Sequence, residues 1–356
     1  MKKRVVIAMS GGVDSSTAAA LLIKEGYEVI GISMKFWNDE DYNIQKGGTC
    51  CSMDDVSDAR RVAEKLAIPF YAINLGEEFR NSVINYFVDE YLIGKTPNPC
   101  IPCNKVLKFD VLVKRAEELG ADYVATGHYA KKVRHQNGKY LLKRGKDTEK
   151  DQSYFLFNLT EEQLQKVLFP LGGYLKEEVR NHARSMGLSV AEKRESQEIC
   201  FIPDNNYPAF ILKEKGAQFV KKGKIVNTAG KVLGDHNGIP FYTIGQRKGL
   251  KISSPTPLYV KQIDAARNRL IVGGKEEIKS KKFRIQNVNW FKLPEKKKIH
   301  ELVQIRYRHK PVLATVSLDN LKEPEIEFDE AQEAITPGQA AVIYHDDTVL
   351  GGGWIV

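Results

Sequence analysis

The sequence predicts an α/β fold, in which a parallel-sheet domain is followed by a small β-rich central domain and a C-terminal antiparallel β-barrel. In the first half of the chain, short apolar runs alternate with segments of helical apolar spacing, a pattern typical of a parallel sheet. From about Tyr207, glycines punctuate short apolar pieces, and beyond Lys275 short alternating strands are separated by Pro or Gly turns. We therefore expect domains at residues 1–206, 207–275 and 276–356.

The elements of the first domain are predicted in order from their periodicity. A β-branched run at residues 5–9 precedes a Ser-Gly-Gly turn and a helix over residues 17–24. Further strands are predicted at residues 27–37, 69–74 and 121–128. Further helices are predicted at residues 54–66, 79–92, 105–119, 159–168 and 176–186, and the polar faces of the last two are expected to face solvent. Residues 130–146 predict a basic hairpin about the pair Asn137-Gly138.

The two later domains are predicted to consist mainly of short strands. In the central domain, these strands follow the segment 242–250 and continue through Val272. In the C-terminal domain, strands are predicted at residues 282–288, 302–307, 312–318 and 340–344. Because Pro or Gly turns separate these strands, a small antiparallel barrel is expected there.

The glycine turn (residues 10–12), between the first strand and the first helix, is a predicted anion site. Gly11 and Gly12 allow the backbone to approach an anion without an obstructing Cβ, and backbone N–H groups converge there with a helix N-terminus. Hydroxyl donors are supplied by Ser10, Ser15 and Ser16. Asp14 adds a carboxylate that suits Mg²⁺. A phosphate is the expected ligand, and the alternative is an ordinary strand-to-helix turn.

Length and composition narrow the class of protein. The 356 residues are enough for two or three domains, and 42% hydrophobic with 28% charged residues is typical of a globular chain. There is no apolar run of membrane-spanning length, and residues 1–4 lead directly into the first strand. We therefore expect a cytoplasmic protein with no membrane partner.

The net charge of +9 is concentrated in one segment of the chain. Residues 275–310 contain twelve Lys or Arg and four Asp or Glu, a local excess of +8. The aromatic residues interleaved with these cations are Phe283, Trp290, Phe291 and Tyr307. Cations hold phosphates and aromatic rings stack on bases, so the segment favours a nucleic-acid surface over a merely solvated face.

The five cysteines indicate metal or thiol chemistry, because a chain expected in the cytosol does not depend on a disulfide framework. Cys50 and Cys51 are interpreted equally well as small buried hydrophobes. Cys103 follows Cys100 in a Cys-x2-Cys pair, and Cys200 is isolated. Reactivity is expected of Cys103 and Cys200, since each lies in a Pro-marked loop. A four-ligand zinc site and an iron–sulfur cluster with one open iron are the alternatives.

Eight sequence blocks occur in order along the chain: SGGVDSS, TPNPCIPCNKVLKFD, GADYVATGHYA, KDQSYFL, SQEICFIP, YTIGQRKGL, RYRHKP and TPGQAAVIY. The first block resembles the PP-loop of the N-type ATP pyrophosphatases, whose domain is adenine nucleotide alpha hydrolase-like. Together the blocks resemble the tRNA-specific 2-thiouridylase family over essentially the whole chain. The resemblance implies an enzyme that adenylates the C2 carbonyl of the wobble uridine of tRNA and replaces its oxygen with sulfur.

The resemblance also implies the roles of individual residues. ATP, with Mg²⁺, is expected to contact Ala8, Met9, Ser10, Gly11, Gly12, Val13, Asp14, Ser15, Met34 and Gly127. Cys200 matches the family's persulfide carrier, which receives sulfur from a cysteine desulfurase or a sulfur-carrier protein. Cys103 matches the nucleophile that releases this sulfur, with a Cys103–Cys200 disulfide as the product. Contacts with tRNA are expected from Asn98, Pro99, Cys100, His128, Lys150, Asp151, Gln152, Arg306, Tyr307 and Gln339.

Cys100 departs from the family pattern, in which many members carry Asp beside the target base. The change removes a carboxylate and creates a set of three cysteines, Cys100, Cys103 and Cys200. Two mechanisms then compete. In the first, Cys200 carries a persulfide, and in the second, a cluster on the three thiolates binds sulfide at its open iron. The persulfide mechanism is favoured.

Two other classes of function fit parts of the sequence. Another PP-loop enzyme, such as a 4-thiouridine or lysidine tRNA enzyme, would not require Cys200 together with the GQ-containing C-terminal strand. An RNA-binding protein without catalysis would bind tRNA but release no pyrophosphate from ATP. The intact PP-loop argues against this second alternative.

Overall fold

The computed structural model describes residues 2–36, 53–136, 138–194, 199–202 and 206–356. The chain divides into two compact units. The first unit comprises residues 1–83, 100–205 and 347–349, and the second comprises residues 84–99, 206–346 and 350–356. Each unit has its own apolar core. The predicted α/β fold class, with a parallel sheet followed by antiparallel β-structure, is confirmed.

A five-stranded parallel sheet lies at the centre of the first unit, in the order β3-β2-β1-β4-β7. The strands of this unit are β1 (Arg4–Ala8), β2 (Glu28–Lys35), β3 (Phe70–Asn74), β4 (Tyr123–Ala125), β5 (Ala130–Arg134), β6 (Tyr140–Arg144) and β7 (Val167–Leu168). Strand β1 pairs with both β2 and β4, and its residues from Val5 onward are buried, as expected for a strand covered on both faces. The carboxyl end of β1 therefore delivers the glycine turn to the middle of the sheet edge.

The described helices are α1 (Val13–Lys24), α2 (Met53–Lys65), α3 (Gly76–Phe79), α4 (Asn85–Leu92), α5 (Cys100–Pro102), α6 (Leu112–Glu118), α7 (Glu161–Lys166), α8 (Lys176–Ser185) and α9 (Tyr207–Lys215). Helices α4 and α9 belong to the second unit. Two further segments, Arg80–Ile84 and Cys103–Val111, are π-helical. The helix predicted over residues 105–119 therefore begins earlier, at Cys100, and carries the wider π-helical turn from Cys103.

The predicted basic hairpin is present in the first unit as β5 and β6. The two strands pair antiparallel, with Ala130 opposite Arg144 and Arg134 opposite Tyr140. Asn137, in the predicted turn, lies outside the described residues. Strand β7 was not predicted, because its two residues fall at the end of the segment 159–168, where the pattern indicates only a helix.

The second unit contains two antiparallel-rich β-structures. A four-stranded sheet has the order β10-β11-β8-β9, formed by β8 (Gly223–Asn227), β9 (Val232–His236), β10 (Tyr259–Asp264) and β11 (Arg269–Gly273). Six strands, in the order β12-β15-β14-β13-β16-β17, close into a barrel through pairing of β12 with β17. They are β12 (Lys279–Trp290), β13 (Lys298–Gln304), β14 (Val312–Ser317), β15 (Glu325–Glu333), β16 (Ala340–His345) and β17 (Thr348–Ile355). The C-terminal barrel is thus as predicted.

One barrel strand ends earlier than predicted. The pattern indicates a strand over residues 302–307, but β13 ends at Gln304. The Gln304 side chain donates hydrogen bonds to the carbonyl oxygens of Arg306 and Tyr307, which closes a turn after the strand. A side chain that satisfies these carbonyls replaces the strand ladder there. The helices formed by the described residues are too short or too polar to span a membrane.

Candidate functional site

The glycine turn has the backbone geometry of an anion site. Gly11 has a φ of +69°, and a Cβ on it would lie 2.1 Å from the carbonyl oxygen of Asp55. Gly12 is the N-cap of α1, and no side chain of the described residues caps the helix there. The first N–H groups of α1 therefore remain available, together with the positive end of the helix dipole. An anion is the complementary ligand.

The serine hydroxyls of the turn divide between two roles. Ser15 Oγ accepts a hydrogen bond from the Ser10 N–H at 3.1 Å and lies 3.3 Å from Ser10 Oγ, so these two residues organise the turn itself. Ser16 Oγ is buried and has no hydrogen-bond partner among the residues that the structure describes. A buried hydroxyl without a partner costs stability unless a ligand satisfies it. Ser16 in the first turn of α1 therefore fits a bound anion.

Gly127 and Met34 are both predicted to contact the nucleotide. They lie near the carboxyl ends of β4 and β2, the two strands that flank β1. Gly127 follows β4, and a Cβ on it would lie 2.8 Å from the Ser15 nitrogen and 2.9 Å from the Asp14 carbonyl carbon. Met34 is buried in β2, the other neighbour of β1. The strand ends thus gather these residues at one edge of the parallel sheet, where ligands of such sheets bind.

Asp14 has partners that the sequence did not reveal. The Lys176 ammonium donates to Asp14 Oδ1 at 2.7 Å and to Oδ2 at 2.8 Å, and the Tyr129 hydroxyl donates to Oδ1 at 2.8 Å. Lys176 was expected on a solvent-facing helix, yet it is only 9% exposed. The one available signal was its position at the first residue of a predicted helix, where a cation opposes the helix dipole.

Lys193 is a second cation that sequence reasoning missed. Its ammonium donates to the Gly11 carbonyl oxygen at 3.1 Å, to Asp55 Oδ1 at 2.7 Å and to Asp58 Oδ2 at 2.5 Å. Burial lowers the pKa of Lys193, but hydrogen bonds to the two carboxylates outweigh burial and raise it. Burial raises the pKa of Asp58, but hydrogen bonds from Lys193 and Arg61 bring it below its usual range. Lys193 therefore stays charged and joins α2 to the glycine turn.

The predicted reactive cysteines lie on two segments that share a neighbour. Cys103 is buried at the start of the π-helical segment, and Cys200 is half-buried in a turn closed by the Ile202 N–H and the Ile199 carbonyl at 3.0 Å. The ring of Phe201 packs edge-on against Phe79 of α3, with centroids 5.5 Å apart. Helix α3 in turn packs against the π-helical segment Cys103–Val111. Cys50 and Cys51 lie outside the described residues.

The three predicted cysteines do not form a metal site among the described side chains. Cys100, Cys103 and Cys200 all lie within the described ranges, where no three His, Cys, Asp or Glu side chains form a group able to hold a metal ion. Cys100 is exposed, whereas Cys103 is buried, so the two thiols occupy different environments. The alternatives of a zinc site and of an iron–sulfur cluster on these three cysteines are therefore not supported. Asp14, the predicted magnesium ligand, forms an ion pair with Lys176 in this structure.

Two of the predicted tRNA contacts in the first unit, Asp151 and Gln152, hydrogen-bond to backbone N–H groups. Asp151 accepts hydrogen bonds from the Gly145 N–H at 3.0 Å and from Ser153 Oγ at 2.8 Å, while burial raises the pKa of its carboxyl. Gln152 Oε1 accepts the Tyr129 N–H at 3.0 Å. These side chains position the segment that follows the hairpin. Lys150, next to them, is half-buried.

His128 is a buried, neutral imidazole. Its Nδ1 lies 2.8 Å from Thr126 Oγ1, and its ring contacts the rings of Phe109 and Phe169. Burial, assisted by the nearby charge of Lys108, lowers the pKa of His128 well below its ordinary value. An aromatic environment of this kind favours the neutral imidazole, so His128 is uncharged at neutral pH.

The remaining predicted tRNA contacts lie in the second unit. Gln339 Nε2 donates to the Thr96 carbonyl at 2.7 Å, and the Thr96 N–H donates to the Pro337 carbonyl at 2.9 Å. These bonds hold the segment that leads into Asn98 and Pro99, of which Asn98 is half-buried and Pro99 is buried. Gln339 therefore contacts the segment two residues before Asn98. Arg306 is exposed and Tyr307 is half-buried, both in the turn after β13 rather than on a strand.

Three family models match the chain in succession. The tRNA methyl transferase HUP domain matches residues 3–204, the tRNA methyl transferase PRC-barrel domain matches residues 210–274, and the aminomethyltransferase beta-barrel domain matches residues 280–355. Similar relatives are described as tRNA-specific 2-thiouridylase MnmA. Those from Geotalea uraniireducens and Geobacter metallireducens are each 54% identical over 99% of this chain, and over 95% and 97% of their own lengths. The relative from Clostridium perfringens is 48% identical over 99% of this chain and 98% of its own.

Proposed function

This chain belongs to the tRNA-specific 2-thiouridylase family, and we propose that its first unit couples cleavage of ATP to sulfur transfer. Identity of about half the residues over nearly the full length makes it a tRNA-uridine 2-sulfurtransferase, an enzyme of tRNA 2-thiolation. The steps by which it does so are our proposal. The observation that carries the proposal is the N-terminus of α1, which no described side chain caps and which lies beside Gly11 and Gly127, two positions where the backbone approaches too closely for a Cβ.

The first step is adenylation of the uridine. The C2 oxygen of a uridine is a poor leaving group, so it must be activated before sulfur can replace it. In the proposed step it attacks the α-phosphorus of ATP, which forms an AMP ester and releases pyrophosphate. N–H groups of the glycine turn and of α1 hold the phosphates, and Ser16 Oγ supplies a further hydrogen bond. Met34 and Gly127 border the adenosine. A bound Mg²⁺ would neutralise phosphate charge, and Asp14, the carboxylate that follows the glycine turn, would be its ligand.

The second step is sulfur transfer through Cys200 and Cys103. A cysteine desulfurase or a sulfur-carrier protein places a sulfur atom on Cys200, which becomes a persulfide. The Cys103 thiolate attacks Cys200 Sγ, the outer sulfur leaves as hydrosulfide, and a Cys103–Cys200 disulfide forms. Hydrosulfide attacks the activated C2, AMP leaves, and an external thiol reductant restores both cysteines. The contact of Phe201 with α3, which packs on the Cys103 segment, supports this pairing.

The substrate is a tRNA in this proposal. Its anticodon base is expected beside Asn98, Pro99 and Cys100, with phosphates held by cationic side chains of the C-terminal barrel. Lys150, Asp151, Gln152, His128, Arg306, Tyr307 and Gln339 are the further proposed contacts. Several of these act through the backbone that they hold, as Gln339 does through Thr96.

Nucleoside mass spectrometry, combined with pyrophosphate release, tests the proposed function. Unmodified tRNA is incubated with the protein, ATP, Mg²⁺ and a persulfide donor. We expect 2-thiouridine from the native chain and none from Cys200→Ala or Cys103→Ala, while both variants release pyrophosphate because adenylation precedes sulfur transfer. Equal 2-thiouridine from native protein and Cys200→Ala would refute the sulfur path. Gain of a methyl group instead of exchange of oxygen for sulfur would contradict the thiolation chemistry.

A further inference from the structure

Lys176 occupies a position that is unfavourable for a cation. It is the first residue of α8, where the helix dipole is positive, and its side chain is only 11% exposed. A cation there is destabilised both by the dipole and by the loss of water. The fold nevertheless fixes it, because Val179 and Ala183 of α8 pack in the same core as residues of α1.

The Asp14 carboxylate compensates the Lys176 charge in this structure. Both carboxylate oxygens accept from the ammonium, at 2.7 and 2.8 Å, and the ammonium lies 5.7 Å from the centroid of the Tyr129 ring. Asp14 is itself in the first turn of α1, so the N-termini of two helices converge on one ion pair. The N-terminus of α8 is capped by Asp147, whose Oδ2 accepts the Lys176 N–H at 2.8 Å, whereas no described side chain caps the N-terminus of α1. The Asp14 carboxylate alone therefore serves both the Lys176 ammonium and the positive end of α1.

A purely structural ion pair would not need a largely buried lysine at the N-terminus of a helix. The chain offers a comparison on the same helix: Lys146 pairs with Glu178 of α8 at 3.1 Å, but the two side chains are 46% and 42% exposed. That pair lies at the surface, where an ion pair contributes little. The Asp14–Lys176 pair instead joins the carboxylate of the glycine turn, next to the orphaned Ser16 hydroxyl, to a largely buried cation.

We propose that Lys176 is a phosphate-binding residue that exchanges partners when the nucleotide binds. Before binding, its ammonium neutralises Asp14. With ATP bound, the ammonium pairs with phosphate oxygens, and the Asp14 carboxylate becomes available to Mg²⁺. The polyphosphate supplies negative charge to the uncapped N-terminus of α1 and to the lysine. This inference rests on the proposed ATP-dependent function and adds a residue to the nucleotide site.

Binding measurements on the full chain without tRNA or sulfur donor test the exchange. Mn²⁺ alone is titrated against the protein and free Mn²⁺ is followed by electron paramagnetic resonance, and ATP binding is measured by equilibrium dialysis. In Lys176→Met, Asp14 loses its competing cation, so Mn²⁺ affinity should rise several-fold without nucleotide. ATP affinity should fall roughly 10- to 100-fold, the effect of one charged hydrogen bond to phosphate. Lys176→Arg keeps the cation and should retain more ATP affinity than Lys176→Met.

Control variants separate this exchange from a general loss of structure. Lys146→Met removes the exposed lysine paired with α8 and should change neither affinity. In the double variant Asp14→Asn/Lys176→Met, the gain in Mn²⁺ affinity should disappear, and thermal melting reports whether each variant is folded. If the native chain binds ATP and Lys176→Met has native affinity for both Mn²⁺ and ATP, the proposed exchange is overturned and the proposed function is not. A native chain that does not bind ATP refutes the proposed function, and the exchange with it.

Discussion

Close backbone approaches at single residues give the glycine turn its shape. Gly11 meets the backbone of Asp55, and Gly127 meets the backbone of Asp14 and Ser15, each at a distance where no Cβ fits. Backbone atoms cannot move aside as a flexible side chain can, so the conformation of the turn depends on both glycines. A substitution at either position acts on the first N–H groups of α1, which are the proposed phosphate ligands.

Replacing Gly127 with alanine should impair the nucleotide site. The added Cβ would lie 2.8 Å from the Ser15 nitrogen, so α1 must shift at its N-terminus. We expect a loss of about 1–3 kcal/mol in the free energy of unfolding, as for other overpacked sites. Pyrophosphate release from ATP should fall strongly. Gly173→Ala is the matched control, because open space surrounds Gly173, and native pyrophosphate release by Gly127→Ala would contradict the prediction.

Replacing Lys193 with methionine should destabilise the protein in a pH-dependent way. Asp55 and Asp58 would lose their shared cation, at a cost of about 1–3 kcal/mol in the free energy of unfolding near neutral pH. Because Asp58 has a lowered pKa, its stabilisation is present above its ordinary value of 3.8 and is lost as pH falls through the lowered pKa. Because Lys193 has a raised pKa, its stabilisation is present below 10.5 and is lost as pH rises through the raised pKa.

Urea unfolding at a series of pH values measures this effect. The difference between native chain and Lys193→Met should be constant between these limits and shrink outside them. Arg61→Met is the control: Arg61 contacts the same Asp58, but its side chain is 64% exposed, so its loss should cost less than about 1 kcal/mol. A difference that grows toward acid pH would contradict the assigned pairing.

An aromatic contact holds the turn that carries Cys200. Phe201 is buried against Phe79, and Phe79 stacks on Phe36 with ring centroids 4.8 Å apart. Such contacts fix a short segment that has no helix or strand of its own. The position of the turn that carries Cys200 is therefore supported by the contact between the Phe201 and Phe79 rings.

Replacing Phe201 with leucine should separate the two proposed steps. The smaller side chain loosens the Cys200 turn while leaving the glycine turn intact. We expect a reduced yield of 2-thiouridine, with pyrophosphate release close to that of the native chain, measured in the same incubation. Phe157→Leu, a substitution at an equally buried phenylalanine, controls for a general loss of packing. Equal losses of both activities in Phe201→Leu would mean that Phe201 has no specific role in sulfur transfer.

The order of the main elements was predictable from sequence because each periodic pattern is local. Strands β1 to β3 and helices α2 and α8 follow their patterns closely, whereas β4 is shorter than predicted and α1 begins four residues earlier than predicted. Strand β7 and the π-helical segment Cys103–Val111 do not, since a two-residue strand exists only through its pairing with β4. Within the candidate site, Gly11 and Asp14 could be predicted from the single block SGGVDSS. Lys176 is not, because 162 positions separate it from Asp14 and only the fold joins them.

At the scale of the whole molecule, the basic segment 275–310 is partly neutralised. Lys275, Lys279 and Lys282 form ion pairs with Glu333, Glu276 and Glu327. A count of charges within residues 275–310 does not include this neutralisation, because two of the three carboxylates belong to β15. Four of the lysines that remain exposed, with no ion pair to any described residue, cluster around the β12–β13 connection: Lys292, Lys296, Lys297 and Lys298. These four are the strongest candidates for phosphate contacts.

Replacing Lys296, Lys297 and Lys298 together with glutamate should weaken tRNA binding and flatten its salt dependence. For every phosphate that the protein no longer neutralises, the slope of log affinity against log salt concentration should fall by about 0.7–0.9, because fewer counterions are released. Affinity measured by filter binding at several salt concentrations gives this slope. The matched glutamine variant removes charge without reversing it and should lie between native and glutamate proteins. An unchanged slope, with native melting temperature and native ATP binding, would exclude these lysines as phosphate contacts and leave the RNA surface to be sought elsewhere on the chain.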